Sequence, residues 1–281
     1  MFWNANGLLN HQQKLQAILD INKIDVCLIS DTHFTKQSFI KFRGYKIYHT
    51  SHPGNAARGG SAIIVKDNIY HNEEVKIEAE DIQATALNIK TKKYNTVMAS
   101  LYSPSKHNIK AERYAELFKN IGNRFIIGGN FNAKHTHWGS RLLTTKGREL
   151  LKAVNECKCE AISTGKPMYW PTDTKKIPDL IDFYVTKNIS SNYVQIEDNL
   201  ELNSDHTPII LTLSESIIQK QCNPVLVSKK TDWEGFRMTT EEMIQLSVPV
   251  QTEEQLDYEV EKFVKDIQQS AWEDTPESKE G

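Results

Sequence analysis

Short apolar runs recur along the chain as far as Leu213 and predict a strand-rich domain. Each run is rich in β-branched or aromatic residues and is bounded by Gly, Pro, Asn, Asp or Lys, which favour strand ends and turns. Some are continuously apolar, as in Phe125-Ile126-Ile127, which is typical of strands covered on both faces. The predicted strands are residues 26–30, 61–65, 84–89, 96–102, 124–128, 180–185 and 208–213.

Helical spacing of apolar residues separates these runs. Leu8, Leu15, Ile18 and Leu19 fall on one face of a segment at residues 8–22, and the pattern favours further helices at residues 111–120 and 145–157. Strands and helices that alternate in this way indicate an α/β fold. We expect two packed sheets with helices outside.

The pattern changes after Leu213, where a polar stretch at residues 214–231 carries Lys229 and Lys230. Thr252 and Gln255 then form a capping box, which predicts the start of a helix. Its apolar positions repeat at helical spacing: Leu256, Val260, Phe263, Val264 and Ile267. We therefore predict a boundary near residue 217, with a main domain at residues 1–217 and a linker with an amphipathic helical tail at residues 218–281.

Charge, cysteine usage and hydropathy narrow the class of protein. The 281 residues include 34 Lys+Arg and 36 Asp+Glu, a net charge of -2, so a polyanionic partner needs a local basic patch. The four cysteines form no CxxC pair, which argues against a disulfide framework or structural zinc and favours a reduced intracellular setting. Because no apolar run approaches the ~18 residues of a membrane span, we expect no membrane partner.

Acid and amide residues stand where predicted strands end, at Asn4, Asp31, Asn130, Asn132 and Asp205. Each alone is typical of a residue that caps or turns the chain. Strand ends distant in sequence can nevertheless meet at one rim of a sheet, so the joint occurrence favours an active site.

The step Asp205-His206 leads into an apolar strand and is the most informative of these positions. It is a loop feature in most proteins. In a phosphodiesterase, however, the aspartate can hold a hard divalent cation, and the histidine can bind the scissile phosphate or carry a proton. Asp182 stands in an otherwise apolar strand, and burying it unpaired would be unfavourable by several kcal/mol. We expect Asp182 to pair with His206.

The run at residues 128–135, Gly-Gly-Asn-Phe-Asn-Ala-Lys-His, has two interpretations. It can be a tight turn after a strand. Alternation along an extended chain would instead place Asn130 and Asn132 on one side, where their amides could bind phosphate oxygens or orient water. Tyr102 also ends a strand, and its phenol is either a rim aromatic or a donor to phosphate.

Taken together, these motifs resemble those of a known superfamily. The chain resembles the endonuclease/exonuclease/phosphatase superfamily over residues 1–215, and within it the apurinic-endonuclease-like domain of jockey-like non-LTR retrotransposons. Beyond that range, the tail is similar to the stretch that joins this domain to a reverse transcriptase. The motifs, in order, are Trp3-Asn4-Ala5-Asn6-Gly7-Leu8, Ser30-Asp31-Thr32-His33-Phe34, Arg58-Gly59-Gly60-Ser61-Ala62, Leu101-Tyr102-Ser103-Pro104, the 128–135 run, Trp138-Gly139, Ile181-Asp182-Phe183 and Ser204-Asp205-His206.

The resemblance implies a four-layer α/β sandwich and an enzyme that uses Mg²⁺ or Mn²⁺ to nick DNA, leaving a 3′-hydroxyl that primes reverse transcription. It also implies a reverse transcriptase domain as a partner, a monomeric state and a nuclear location. By position, Asn4, Asp31 and Asp205 belong to the metal side of the site. The catalytic set would be Tyr102, Asn130, Asn132 and His206, with Asp182 orienting His206.

Two positions depart from the family pattern. Asp31 stands where the family has glutamate, and its shorter arm moves a ligand oxygen by about 1.5 Å against a Mg²⁺ that tolerates little deviation. Asn130 stands where the family has an aspartate that positions or deprotonates water, and an amide cannot accept that proton.

Three functions stay open on the sequence: a DNA endonuclease weakened by these two changes, an impaired remnant that at most binds DNA, and a phosphatase of the same superfamily. Candidate DNA-phosphate contacts are Lys41, Arg43, Lys134, Lys175 and Lys176, although each can equally be solvated surface charge.

Overall fold

The structure, a computed structural model, describes residues 1–74, 76–90, 94–173, 175–198, 202–214, 230–244 and 252–275. It divides the chain into two compact units, Met1–Ile218 and Gln219–Gly281. The predicted linker at residues 214–231 lies almost entirely outside the described residues. Among the described residues, no helix combines the length and the apolar character that crossing a membrane requires.

The first unit alternates strands and helices along the chain. A 3-10 turn at Leu8–His11 precedes the first helix, and two further short 3-10 turns occur at Thr136–Trp138 and Ser191–Tyr193. The strands and helices are β1 Phe2–Asn4, α1 Gln12–Ile21, β2 Val26–Ser30, β3 Tyr45–Thr50, β4 Ser61–Lys66, β5 His71–Glu73, β6 Ile77–Glu78, β7 Gln83–Lys90, β8 Asn95–Tyr102, α2 Ala111–Ile121, β9 Phe125–Asn130, α3 Thr145–Glu156, β10 Glu160–Ile162, β11 Asp182–Lys187, β12 Val194–Glu197 and β13 Ile210–Leu213.

Two sheets form the centre of this unit. One has the strand order β1-β2-β4-β3, with β1 and β2 parallel and the other pairs antiparallel. The other has the order β10-β11-β9-β8-β7-β5, with β6 also paired to β7, and in it β8 and β9 run parallel. Strands β12 and β13 pair separately.

Three apolar clusters show that the unit has four layers. Phe2, Leu28 and Ile63 from the smaller sheet pack with Ile126 and Tyr184 from the larger one, so the sheets face each other. A second cluster covers the outer face of the smaller sheet with α1, and a third covers the outer face of the larger sheet with α2 and α3. The predicted four-layer α/β sandwich is confirmed.

A polar seam joins the two sheets near one end of their strands. Ser61 Oγ lies 2.8 Å from Thr85 Oγ1, which donates to Thr50 Oγ1 at 2.9 Å. Ser100 Oγ donates to the carbonyl oxygen of Ile29 at 2.6 Å. All four hydroxyl residues are buried. Because a buried hydroxyl that loses its partner is costly, these bonds fix how the sheets sit on each other at this end.

Every predicted strand is present, with ends shifted by at most two residues, and the three predicted helices form. The apolar face of α1 was assigned correctly, since Leu15 and Leu19 are fully buried. Five strands were not predicted: the short strands β5, β6, β10 and β12, and the longer β3, whose sequence Tyr-Lys-Ile-Tyr-His-Thr is too polar for a buried run. Strand β3 lies at a sheet edge, where one side of a strand can stay in water.

The second unit contains two helices, α4 Trp233–Met243 and α5 Glu253–Glu273. Helix α5 begins where the capping box predicts, since Thr252 Oγ1 accepts the backbone N–H of Gln255 at 3.2 Å. The helices contact each other, and Ala271 of α5 is buried. Much of the predicted apolar stripe is exposed, by 45–52% at Leu256, Val260, Phe263 and Val264.

Candidate active site

Polar side chains line up across the larger sheet at the end where the seam lies. In the strand register, Asp182 on β11 pairs with Asn130 on β9, Asn130 pairs with Tyr102 on β8, and Tyr102 pairs with Gln83 on β7. Residues directly opposite each other on neighbouring strands have side chains on the same face of the sheet. Three predicted catalytic residues therefore stand side by side, and Gln83, which the sequence analysis missed, extends the row.

The smaller sheet contributes Asn4, which ends β1 and is 2% exposed. Its Oδ1 accepts the backbone N–H of Asn6 at 3.0 Å, and Asn6 Nδ2 in turn donates to Asp205 Oδ1 at 3.2 Å. The turn after β1 thus links two predicted metal ligands that are 201 positions apart in the chain. Asn6 has a left-handed backbone, with φ of 43°, which an asparagine tolerates well.

Ser204 ties the loop before His206 to β1. Its hydroxyl donates to the carbonyl oxygen of Asn4 at 2.9 Å and accepts the indole N–H of Trp3 at 2.9 Å. It also accepts the backbone N–H of His206 at 3.1 Å. Since Trp3 is fully buried, the position of this loop is set by the core of the smaller sheet.

His206 and Asp182 form the predicted pair through a hydrogen bond between Nδ1 and Oδ2. Both side chains are buried, at 6% and 1% exposure, and His206 Nε2 lies 3.9 Å from Asp205 Oδ1. Burial opposes a charge on His206, but the negative charges of Asp182, Asp205 and Asp31 outweigh it and raise the pKa of His206. The ring can therefore keep both protons near neutral pH, with Nε2–H available as a donor.

Asn130 and Asn132 do come together, but not through strand alternation as the sequence suggested. Strand β9 ends at Asn130, and Asn132 has a left-handed backbone with φ of 46°. Asn132 Nδ2 donates to Asn130 Oδ1 and to the carbonyl oxygen of Ser103, the latter at 3.1 Å. The turn, rather than the pleat, orients the two amides.

Asp31 follows β2 and also has a left-handed backbone, with φ of 55°. Its Oδ1 accepts the backbone N–H of Gly59 at 3.0 Å and lies 3.1 Å from His33 Nε2. The hydrogen bond to Asp31 raises the pKa of His33 against the effect of burial. One oxygen of this predicted metal ligand is therefore already hydrogen-bonded within the protein.

The glycine pair after Arg58 allows its loop to approach Tyr102 closely. Gly59 has φ of 61°, and a Cβ there would come within 2.7 Å of Gln83 Oε1 and 3.1 Å of the Tyr102 ring. Burial raises the pKa of Tyr102, the negative charge of Asp31 raises it further, and Arg58 opposes both. The phenol of Tyr102 therefore stays protonated and can donate a hydrogen bond, with Asp31 and Arg58 as its charged neighbours. The sequence analysis did not single out Arg58 as a basic residue at the rim of the site.

The donor set suits a hard divalent cation. Asp31 and Asp205 have side chains 16% and 23% exposed, and both are close enough to His206 to raise its pKa. Throughout the described part of the chain, no three His, Cys, Asp or Glu side chains could by themselves hold a metal ion. The carboxylates of Asp31 and Asp205 and the amide of Asn4 are oxygen donors of the type that Mg²⁺ and Mn²⁺ accept, and such a cation would need water to complete its ligand set.

The predicted DNA-contacting cations are dispersed. Lys134 Nζ lies 2.9 Å from Asp179 Oδ2, where it neutralises a buried carboxylate. Arg43 precedes β3 at the opposite end of the smaller sheet from Asp31, as the register shows, and lies 3.7 Å from Asp20. The structure therefore does not bring Arg43 to the site.

The other three cations lie on loops. Lys41 stacks over the Phe39 ring at 5.3 Å, and its carbonyl oxygen accepts a hydrogen bond from Gln12. Lys175 and Lys176 are exposed on the loop between Trp170 and Asp179, where their backbone N–H groups donate to Asp173. None of these three contacts a residue of the predicted catalytic set in the hydrogen bonds and ion pairs of the described residues.

Lys146, near the start of α3, is a buried lysine that the sequence analysis missed. Its Nζ donates to the carbonyl oxygens of Ser103 at 3.1 Å and Pro104 at 2.7 Å. Burial lowers its pKa to about 7. Since Ser103 also accepts from Asn132, this lysine supports the turn that links Tyr102 to Asn132. Nothing in the helical pattern marks it, because a lysine near a helix start normally points to solvent.

Comparisons with known proteins confirm the resemblance that the motifs predict. Residues 96–210 match the model of a family described as endonuclease-reverse transcriptase. The chain is 29% identical over 274 residues to the RNA-directed DNA polymerase from mobile element jockey of Drosophila funebris, and 27% identical over 269 residues to that of Drosophila melanogaster. These alignments cover 98% and 96% of this chain but only 30% and 29% of the relatives, so the chain spans less than a third of the curated relatives' length.

Solved structures confirm the fold. The endonuclease domain of TRAS1, a telomere-specific non-LTR retrotransposon, has a TM-score of 0.63 at 19% identity, covering 78% of this chain and 98% of that one. The AP endonuclease LMAP from Leishmania major has a TM-score of 0.61 at 11% identity, covering 76% and 87%. A 3′ phosphatase from Neisseria has the same fold, with a TM-score of 0.55 at 10% identity and coverage of 76% and 98%.

Proposed function

We propose, from the confirmed resemblance to the endonuclease/exonuclease/phosphatase superfamily, that this chain is a DNA endonuclease that hydrolyses a phosphodiester bond with the help of a divalent cation. The observation that carries the proposal is the buried Asp182–His206 pair, which stands beside Asn130 and Tyr102 and lies close enough to Asp205 and Asp31 for their negative charges to act on His206. A pre-arranged set of donors opposite a cluster of carboxylates suits a reaction in which negative charge develops on phosphate oxygens.

His206, together with residues at the end of the larger sheet, would hold the scissile phosphate. His206 Nε2–H donates a hydrogen bond to a phosphate oxygen, and Asp182 fixes the ring by accepting from Nδ1. The phenol of Tyr102 is a further neutral donor, which binds a phosphate oxygen without adding charge. Both N–H groups of the Asn132 amide already donate, to Asn130 and Ser103, so Asn132 would contact phosphate only by exchanging one of these bonds. Asn130 would contact the attacking water, which it can orient through hydrogen bonds but cannot deprotonate.

Asp31, Asp205 and Asn4 would hold Mg²⁺ or Mn²⁺. Such a cation, when bound, polarises the phosphate and lowers the pKa of bound water. Because Asp31 Oδ1 already accepts from Gly59 and contacts His33, the cation would compete for that carboxylate, and binding would be weaker than with a longer glutamate arm.

The substrate, product and partner follow from the same relatives. The proposed reaction nicks DNA and leaves a 3′-hydroxyl, the group from which a polymerase extends. The curated relatives are RNA-directed DNA polymerases more than three times as long as the matched segment, which supports a linked reverse transcriptase as the partner. We further propose that the chain acts as a monomer in the nucleus, where its substrate lies.

Nicking of supercoiled plasmid tests the proposal, measured with Mg²⁺ and with Mn²⁺ for the unmodified chain, Asn130→Asp and His206→Ala. We expect slow nicking by the unmodified chain and an increase of roughly 10²-fold in Asn130→Asp, since general-base catalysis contributes about 10²–10⁴-fold. Adding His206→Ala to Asn130→Asp should abolish the gain, and ligation of the nick without end repair would identify the 3′-hydroxyl.

One result would show that water is activated without a base at residue 130: equal rates for the unmodified chain and Asn130→Asp, both far above His206→Ala. If both forms are inert while DNA binding persists, the second candidate, a remnant that only binds DNA, is favoured. The observation behind that candidate is that two site carboxyl positions depart from the family pattern, with an amide at Asn130 and a shortened, already hydrogen-bonded arm at Asp31.

A further inference from the structure

Gln83 is a buried amide at one end of the polar row on the larger sheet, and it bonds to groups outside that row. Its side chain is fully buried, and the strand register places it opposite Tyr102. Its Nε2 donates to the carbonyl oxygen of Ala79 at 2.6 Å, and its Oε1 accepts the backbone N–H of Gly60 at 3.3 Å. Because a buried polar group that loses its partner is costly, these bonds hold the Gly60 loop against β7.

The two glycines of this loop are bonded to the segment that carries Asp31. Gly59 donates its backbone N–H to Asp31 Oδ1 at 3.0 Å, and the carbonyl oxygen of Gly60 accepts the backbone N–H of Asp31 at 2.8 Å. The carbonyl oxygen of Gly59 also accepts the backbone N–H of His33 at 2.9 Å. The Gly59-Gly60 step therefore contacts both the main chain and the carboxylate of Asp31, and Gln83 holds that step.

Close packing leaves the glycine step little room to shift. Gly60 has φ of 86°, and a Cβ there would come within 2.7 Å of Thr32 Oγ1 and 3.0 Å of the carbonyl oxygen of Thr50. A Cβ on Gly59 would in turn meet Gln83 Oε1. The Gln83 amide thus fits against bare glycine backbone, and an apolar side chain in its place would leave the Gly60 N–H without its acceptor.

Asp31 depends on such support because of its own backbone. Its φ of 55° lies in the left-handed region, which is unfavourable for an aspartate and persists only where surrounding bonds enforce it. Two of the bonds made by the glycine step end on Asp31 itself. A shift of Gly60 would therefore move both the main chain of Asp31 and its carboxylate.

We propose that Gln83 is a positioning residue for the divalent-cation site, whose amide holds Gly60 and thereby sets where the Asp31 carboxylate lies. The inference rests on the proposed function, which makes Asp31 a cation ligand. It adds that a buried amide of the larger sheet controls a ligand carried by the smaller sheet. Residues that orient a metal ligand contribute about 10- to 100-fold to metal affinity, and we expect about tenfold because Gln83 acts on one ligand through glycines.

Isothermal titration calorimetry with Mn²⁺ alone, on the full chain without DNA, measures the cation Kd. Gln83→Met keeps an unbranched side chain but removes the amide, and its Kd should rise about tenfold. Gly60→Ala displaces the same loop without altering Gln83, and it should also raise the Kd. Thr96→Val is the matched control, since it removes a buried acceptor of Arg124 Nε at the opposite end of the β7–β8 pair. Its Kd should equal that of the unmodified chain.

Amide hydrogen exchange followed by NMR in EDTA gives a second readout, which needs neither cation nor DNA. In Gln83→Met, the N–H groups of Gly60 and Asp31 should exchange faster relative to Leu28, which lies inside β2 and reports the stability of the whole fold. In Thr96→Val, this ratio should stay unchanged.

An unaltered Kd in Gln83→Met or in Gly60→Ala would overturn the inference, and so would equal weakening by Thr96→Val or unchanged relative exchange at Gly60 and Asp31. Failure of the proposed function gives different results. If the unmodified chain binds no Mn²⁺, the proposed cation site is refuted, and exchange still decides whether Gln83 holds Asp31. Mn²⁺ binding that depends on Gln83, in a chain whose Asn130→Asp variant nicks no DNA, supports the inference and refutes the proposed catalysis alone.

Discussion

The two halves of the site are built in different ways. In the phosphate half, defined as Tyr102, Asn130, Asp182 and His206, three residues occupy paired positions on adjacent strands and the fourth is bonded to one of them. In the metal half, defined as Asn4, Asp31 and Asp205, two of the three residues lie beyond their strands in loops. One of these two, Asp31, has a left-handed backbone conformation.

This difference affects how each half would respond to a ligand. Strand pairing and burial hold the phosphate half in place, so its donors are oriented before any phosphate binds. The metal half has its carboxylates engaged by local donors, with Asp31 bonded to Gly59 and Asp205 bonded to Asn6. Those bonds occupy one oxygen of each carboxylate, and a cation that binds this oxygen must compete with them. Substitutions should therefore destabilise the fold in the first half and weaken metal binding in the second.

The largest effect on stability should come from Asp182→Ala. It leaves a buried His206 without its partner, and breaking a buried ion pair from one side is unfavourable by about 3–5 kcal/mol. Asp205→Ala, in the more exposed metal half, should change the free energy of unfolding by no more than about 1 kcal/mol. Urea denaturation in EDTA measures both, and similar losses in the two variants would contradict the contrast between the halves.

The pH dependence of stability tests whether Lys146, which holds the turn next to the phosphate half, is buried with a lowered pKa. Its pKa falls from 10.5 to about 7 on folding, so between these pH values the unfolded chain binds more protons and stability rises with pH. A shift of this size corresponds to at most about 5 kcal/mol, and we expect about 2 kcal/mol, because the two carbonyl acceptors favour the ammonium form.

Lys146→Met should remove this rise, measured as the difference from the unmodified chain in urea denaturation between pH 7 and 10. Lys152→Met, an exposed lysine on the same helix α3, should leave it intact. An identical pH dependence in Lys146→Met and the unmodified chain would mean that the buried amine keeps its ordinary pKa.

Stabilisation by a divalent cation tests whether Asp31 and Asp205 belong to the metal half. Saturating Mg²⁺ or Mn²⁺ should raise Tm by a few degrees, since a ligand at about 100 times its Kd stabilises the folded state by roughly 2.7 kcal/mol. Asp205→Ala should abolish the increase, and Asp31→Glu should reach it at a lower cation concentration. Asp20→Ala, which removes an exposed carboxylate near the far end of the smaller sheet, is the matched control. An undiminished increase in Asp205→Ala would remove that residue from the metal half.

The smallest effect is expected from removing residues 218–281. Both halves of the site are built from residues before Leu213, so a chain of residues 1–217 should melt within a few degrees of the full chain. Differential scanning calorimetry provides the measurement. A fall in Tm of more than about 10 °C would show that the main domain depends on α4 and α5, and that the boundary predicted near residue 217 is misplaced.

The sequence predicted one contact between site residues correctly, but not how the others are connected. Asp182 and His206 were paired correctly, because a carboxylate inside an apolar strand needs a partner and a histidine was the candidate. The contact between Asn130 and Asn132 was expected for the wrong reason, since a left-handed turn brings the amides together. Arg43 was one of the candidates for a DNA-phosphate contact or a solvated surface charge, and the register places it at the opposite end of the smaller sheet from Asp31.

By itself the sequence determined what depends on local pattern: the seven most apolar strands and the three helices of the sandwich, the capping of α5, and the acid and amide residues at strand ends. Only the tertiary structure decided which polar groups meet, such as Lys146 with Ser103, Ser204 with Asn4 and Trp170 with Thr207. Secondary structure follows from preferences of neighbouring residues, which a sequence displays directly. Contacts between distant residues depend on strand register and loop path, which are set by the packing of the whole unit.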